Sequence, residues 1–178
     1  MEKIEEAPLQ PGEGGGLAPD GDGWFIVNVA EAAALDTERF GAGVRFEGAS
    51  RFPELGINVR VLQPGQPASM YHRERAQEAF LVLRGECLAI VEGQERRMRA
   101  GDLLHLPPGT AHVLVGAGDA PSAVLMVGAR KPDLRLSFPA DAAAARYGAS
   151  VERDTDDRRE AYAGTPRPRR TKLGELPW

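Results

Sequence analysis

Three histidines occur among the 178 residues, and two of them stand in settings that chemistry can use. In SMYHRERAQEAF (residues 69–80), His72 is followed by Glu74 and Glu78. In GDLLHLPPGTAH (residues 101–112), a Pro-Pro-Gly turn leads to His112. An imidazole with nearby carboxylates suits a divalent cation or a proton transfer. The same residues also suit the charged, solvated shoulder of a strand, and residue types alone leave both readings open. His105, inside LLHLP, reads as a structural histidine that fills the interior or orients a neighbour. Cys87 lies in an apolar run and behaves as a small hydrophobe.

The elements that must position these residues are strands. INVRVL (residues 57–62) alternates Ile57, Val59 and Val61 with Asn58 and Arg60, the pattern of a half-buried strand. Short runs rich in Val, Leu and Ile then recur at roughly ten-residue intervals, each closed by Gly, Pro or Asp. EGQE around Gly93 reads as a hairpin turn, and residues 80–83 as core on both faces. This spacing predicts an antiparallel sandwich or barrel and excludes alternating strands and helices. Upstream, residues 1–23 are rich in Gly, Pro and acid and read as a flexible arm. WFIVNV (residues 24–29) and GVRFEG (residues 43–48) read as strands, with a short helix in EAAALDTERF between them. Downstream, FPADAAAARYG and TDDRREAYAG read as short helices, the second capped by its threonine. The basic tail TPRPRRTKLGELPW is expected to pack as an extended segment, with Trp178 covering apolar surface.

Both motifs have a recognisable form. The first runs His72, one residue, Glu74, three residues, Glu78, six residues, Gly85; the second runs Gly101, five residues, Pro107, one residue, Gly109, two residues, His112. Fifteen residues, 86–100, separate them. Over residues 57–129 the sequence resembles the cupin family. The resemblance implies an all-β, single-domain double-stranded β-helix, or jelly-roll barrel, with short C-terminal helices added. The division is then an arm at 1–23, a barrel at 24–130 and an extension at 131–178. It also implies that His72, Glu78 and His112 match three of the four cupin metal ligands, and that Glu74 occupies the place usually held by a second histidine. The second motif ends in Gly116, where asparagine is often found. Two imidazoles and two carboxylates neutralise a divalent cation, so one ion of Zn²⁺, Mn²⁺, Fe²⁺ or Ni²⁺ is expected. Glu74 is either a fourth ligand or a proton-handling neighbour of three. Side chains two apart on a strand share a face, so His72, Glu74 and Glu78 should point inward while Arg73 and Arg75 point out.

Fold does not name activity. A metal-dependent enzyme of dioxygenase, decarboxylase or isomerase type, acting on a small organic acid or sugar-like ligand in the barrel, is the favoured expectation. A non-catalytic binding or sensor module and a metal-free dimeric scaffold are the alternatives. A homodimer is expected through an exposed strand edge such as residues 24–29. The net charge of −4 and 6% aromatic content give no field or stacking surface for nucleic acid. The acidic start and the lack of a long apolar run point away from a signal peptide and a membrane, and the single cysteine suits a reducing cytoplasmic setting.

Overall fold

The computed structural model describes residues 3–174. Two short strands, β1 (Leu9–Pro11) and β2 (Leu17–Pro19), come first, then β3 (Ala33–Thr37), β4 (Gly41–Val44) and β5 (Leu55–Leu62). The motif region holds β6 (Arg73–Glu74), β7 (Glu78–Arg84), β8 (Glu86–Val91), β9 (Gln94–Arg99), β10 (Leu103–Leu106), β11 (His112–Ala117) and β12 (Ser122–Ala129). After β13 (Leu136–Ser137) come the helices α1 (Ala142–Ala145) and α2 (Arg158–Ala161), and finally β14 (Arg169–Lys172). All named strand pairs are antiparallel. One seven-stranded sheet runs β10-β7-β12-β5-β4-β3-β14, and a second runs β11-β8-β9. Bridges at Pro67–Val115 and His72–His112 lay the chain before β6 alongside β11 and extend the second sheet.

The two sheets enclose an apolar interior that follows from strand parity. Phe80 and Val82 of β7, Val124 of β12, Cys87 and Ala89 of β8, Met98 of β9, Leu106 of β10 and Leu114 of β11 meet there. The opposite face of the second sheet is also covered, with Ile90, Val113 and Val115 packing on Ala143 and Ala144 of α1. The expected turn at Gly93 is present: Glu92 and Gly93 have φ of 48° and 72°, the pair of left-handed residues a two-residue hairpin requires. Both C-terminal helices form as short single turns. The second is capped by Asp157, whose carboxylate accepts from the Arg159 N–H. Thr155, the expected cap, instead accepts from the Asp157 N–H and bonds the Glu160 carboxylate.

Several expectations are corrected. Residues 25–29 form no strand; Trp24 makes one isolated bridge to Glu6, and Val27 and Val29 pack under β3 and β4. The alanine-rich stretch that followed is strand β3, not a helix. Its backbone is taken up by β4 on one side and β14 on the other, so sheet pairing overrides the helical preference of alanine. The N-terminal segment contains the β1–β2 hairpin, and its glycines serve close contact: a Cβ on Gly16 would lie 2.5 Å from the Ala33 Cα. In β5 the interior face carries Asn58 and Arg60, while Val59 is buried on the other side. Residues 80–83 are not uniformly core, since Leu81 and Leu83 are only half-buried. The basic tail is extended, as β14 on the edge of β3; Trp178 lies outside the described residues. No helix among the described residues is long and apolar enough to cross a membrane.

Candidate metal centre

His72 and His112 are directly opposed on neighbouring strands. Their backbones exchange both hydrogen bonds, His112 N–H to His72 O at 2.8 Å and His72 N–H to His112 O at 3.1 Å. Opposed residues of one ladder point to the same face, and the two rings stand 4.8 Å apart. The two motifs are stitched once more where the Gly109 N–H donates to Glu74 O at 2.7 Å. The Pro107–Gly109 turn is closed by the Thr110 hydroxyl on Pro107 O at 2.8 Å. It delivers His112 into β11 at the register that meets His72.

Each imidazole is oriented by the same device. His72 Nδ1 lies 2.8 Å from Met70 O, and His112 Nδ1 lies 3.0 Å from Thr110 O. A carbonyl only accepts, so Nδ1 carries a proton in both rings and Nε2 is the nitrogen each ring turns to the interior. Glu78, first residue of β7, meets this pair, with Oε2 3.2 Å from His112 Nε2. One ligand atom from each of His72, Glu78 and His112 lies within 4.8 Å of the others. Two imidazole nitrogens and one carboxylate on rigid strands form a donor set that fits a first-row divalent ion.

Glu74 lines the same cavity of about 310 Å³ as these three residues but stands outside the trio. Its carboxylate and that of Glu78 both lie beside Gly128. A Cβ there would lie 3.6 Å from one Glu78 oxygen and 3.8 Å from one Glu74 oxygen. Burial, and then the charge of Glu78, raise the Glu74 pKa to about 7. Burial, and then His112, lower His72 to about 4. His112 moves the other way: burial alone would lower it, but the hydrogen bond and charge of Glu78 outweigh burial and raise it. Phe80 and Phe138 wall the site, with ring centroids 5.4 Å from His112 and 6.1 Å from His72.

The strand parity expected of the first motif holds, with His72 and Glu74 turned in and Arg73 and Arg75 exposed. His105 neither fills the interior nor orients a ligand. Its β10 neighbours Leu104 and Leu106 pair with Phe80 and Glu78, so His105 falls on the outer face and is exposed. Gly116 has a steric reason. A Cβ there would sit 2.2 Å from Gln63 O, because the Gly116 amide and carbonyl both bond the 63–66 turn. The apolar alternation of β5 predicts Asn58 and Arg60 on its outward face, whereas both line the cavity. The available signal was their match to the parity of Leu62, the fully buried end of that strand.

Residues 58–128 match the family model described as Cupin domain. No curated protein matches the chain. Among solved structures, a sugar phosphate isomerase of the cupin superfamily from Silicibacter pomeroyi shares 27% identity, with a TM-score of 0.51, over 57% of this chain and 71% of that one. A proposed sugar phosphate isomerase from Acidithiobacillus ferrooxidans shares 25% identity at a TM-score of 0.45, over 47% of this chain and 55% of that one. The DMSP lyase DddQ from Ruegeria pomeroyi shares 24% identity at a TM-score of 0.41, over 48% and 43%. The chain thus spans about half the length of the last two.

Proposed function

We propose, from the premise that residues 58–128 of this chain are a cupin domain, that it holds one divalent cation on His72, Glu78 and His112. Beside that ion it binds a small organic acid or sugar-like molecule. The observation that carries this reading is the convergence of two imidazoles and a carboxylate within 4.8 Å, with both Nδ1 atoms already committed to backbone carbonyls. Zn²⁺, Mn²⁺, Fe²⁺ and Ni²⁺ all accept such donors. A bound cation of this kind supplies Lewis-acid polarisation of a carbonyl or hydroxyl oxygen. The chain supplies the rest. Phe80 and Phe138 exclude water from one side of the site, and the paired strands hold the imidazoles in place. Glu74, in the cavity but outside the trio, is the carboxylate free to exchange a proton with a bound molecule.

Among dioxygenase, decarboxylase and isomerase chemistries, these residues support isomerase-type proton transfer best. The sugar phosphate isomerase from Silicibacter pomeroyi lends that choice its weight as an analogy. Self-association is part of the same reading, supported by the exposed side chains of Trp24 and Ile26.

The test is elemental analysis of protein purified without a metal-binding tag. It should find about one divalent ion per chain, lost in His112→Ala and kept in His105→Ala. Equal occupancy in all three proteins would refute the ligand assignment. Solvent deuterium incorporation into a panel of sugar phosphates and hydroxy acids tests the reaction. Binding without exchange would move the protein to the non-catalytic class, and oxygen uptake by the iron-loaded form would move it to the oxygenases.

A further inference from the structure

The cavity that receives the imidazoles is lined elsewhere by cations. Arg60 reaches it from the middle of the seven-stranded sheet, and Arg45 and Arg158, both exposed, stand at its solvent side. Among the described residues none of the three is ion-paired with a carboxylate, although eight other close ion pairs occur. A second cavity of about 380 Å³ shares all three arginines and continues under residues 165–168.

Arg60 is held in place with its buried Nε uncommitted. Its guanidinium lies against the Gly43 backbone, where a Cβ would fall 3.1 Å from Cζ. Its one hydrogen bond runs from Nη1 to Phe40 O at a long 3.3 Å. Nε is fully buried with no partner in the protein, and so is the Oδ1 of Asn58, two residues earlier on the same face. A guanidinium inside a barrel with no carboxylate at ion-pair distance is costly unless something supplies the missing charge and acceptors. Burial, and then the like charge of Arg45, press the Arg60 pKa below its usual value; an anion relieves both effects. The planar, preorganised fork suits the paired oxygens of a phosphate or carboxylate. The orphaned Asn58 Oδ1 supplies an acceptor for a ligand hydroxyl.

We propose that Arg60, assisted by Arg45 and Arg158, forms an oxyanion subsite, so that the molecule held in this cavity carries a phosphate or carboxylate group. The inference rests on reading the cavity as a ligand site, and it identifies the ligand as an anion held away from the imidazoles.

Calorimetric titration of the metal-replete full chain with glycerol 3-phosphate, succinate and uncharged glycerol tests it. At least one anion should bind and glycerol should not. Arg60→Met should weaken that binding by about tenfold or more, and Arg158→Gln by roughly two- to fivefold. The anion that binds tighter names the group. If Arg60→Met does not fold, the exposed pair Arg45→Gln with Arg158→Gln takes its place, with a loss of about tenfold expected. Anion binding no tighter than glycerol binding, or affinities within twofold in the folded variants, would overturn the subsite. Elemental analysis of the same samples separates the two proposals. Arginine-dependent anion binding by a metal-free protein would overturn the metal assignment alone. Full metal content without arginine-dependent binding would overturn the subsite alone.

Discussion

At the residue scale, the two acids of the first motif divide by position. Glu78 lies within reach of His112 Nε2, whereas Glu74 shares the cavity without joining the trio. Glu78→Gln should therefore cost more than about 100-fold in metal affinity, and Glu74→Gln about 10- to 100-fold at most, the scale of a neighbouring rather than a ligating group. Competition against a calibrated chelator reads both values; equal losses would make Glu74 a full ligand. Cys87 offers a second residue-level test. It is fully buried, and burial raises its thiol to about 12. It should resist a thiol reagent at pH 8 in the native protein and react fully in denaturant. A raised folded pKa contributes stability that is complete below the unfolded value and lost as pH climbs through the folded one. Between about pH 9 and pH 12, Cys87 should therefore steepen the loss of stability by at most about 1.4 kcal/mol per pH unit. Denaturant melts of Cys87→Ala against wild type over that range measure the difference.

At the element scale, the site depends on register. His72 and His112 face one another because the 63–66 turn and β11 are zipped together around Gly116, whose amide donates to Gln66 O at 2.9 Å. A side chain at 116 would meet Gln63 O and push these segments apart. Gly116→Ala should destabilise the fold by about 3 kcal/mol and lower metal occupancy, because the two imidazoles lose their common face. Thermal melts and elemental analysis check both outcomes; unaltered occupancy would show that this pairing does not set the site. Gly93→Ala perturbs a hairpin that bonds the neighbours of both imidazoles, Tyr71 through the Gly93 N–H and Ala111 through Glu92, but supplies no ligand. It should lower Tm by roughly 2–4 °C, from about 1 kcal/mol of left-handed backbone strain, while metal content stays unchanged.

At the scale of the whole molecule, the segments outside the 58–128 match complete the cavity. Residues 165–168 line its continuation, β14 covers the edge of β3, and the hydroxyl of Tyr162, after α2, accepts from the Met70 N–H at 3.3 Å. A chain ending at Gly164 should keep its metal content, lose several degrees of Tm through the exposed β3 edge, and bind anions more weakly. Unchanged anion affinity would mean that the tail closes the sheet without shaping the cavity. Light scattering tests self-association: a mass near twice that of one chain is expected, and a mass near one chain would sink the homodimer.

The sequence by itself determined the parts of this protein that depend on short-range periodicity and turn chemistry. The strands from residue 55 onward, the hairpin at Gly93 and the shared inward face of His72 and Glu74 follow from two-residue alternation and from glycine and proline at fixed offsets. Only the tertiary structure decided the rest. Which face of β5 is interior depends on its partners β4 and β12, and both of its faces are covered, so apolar alternation pointed the wrong way for Asn58 and Arg60. The alanines of β3 became a strand because β4 and β14 supply hydrogen bonds from distant positions. LLHLP suggests an interior place for His105, and the pairing of β10 with β7 puts it outside. Long-range pairing sets these outcomes, and no local pattern encodes the identity of a strand's distant neighbour.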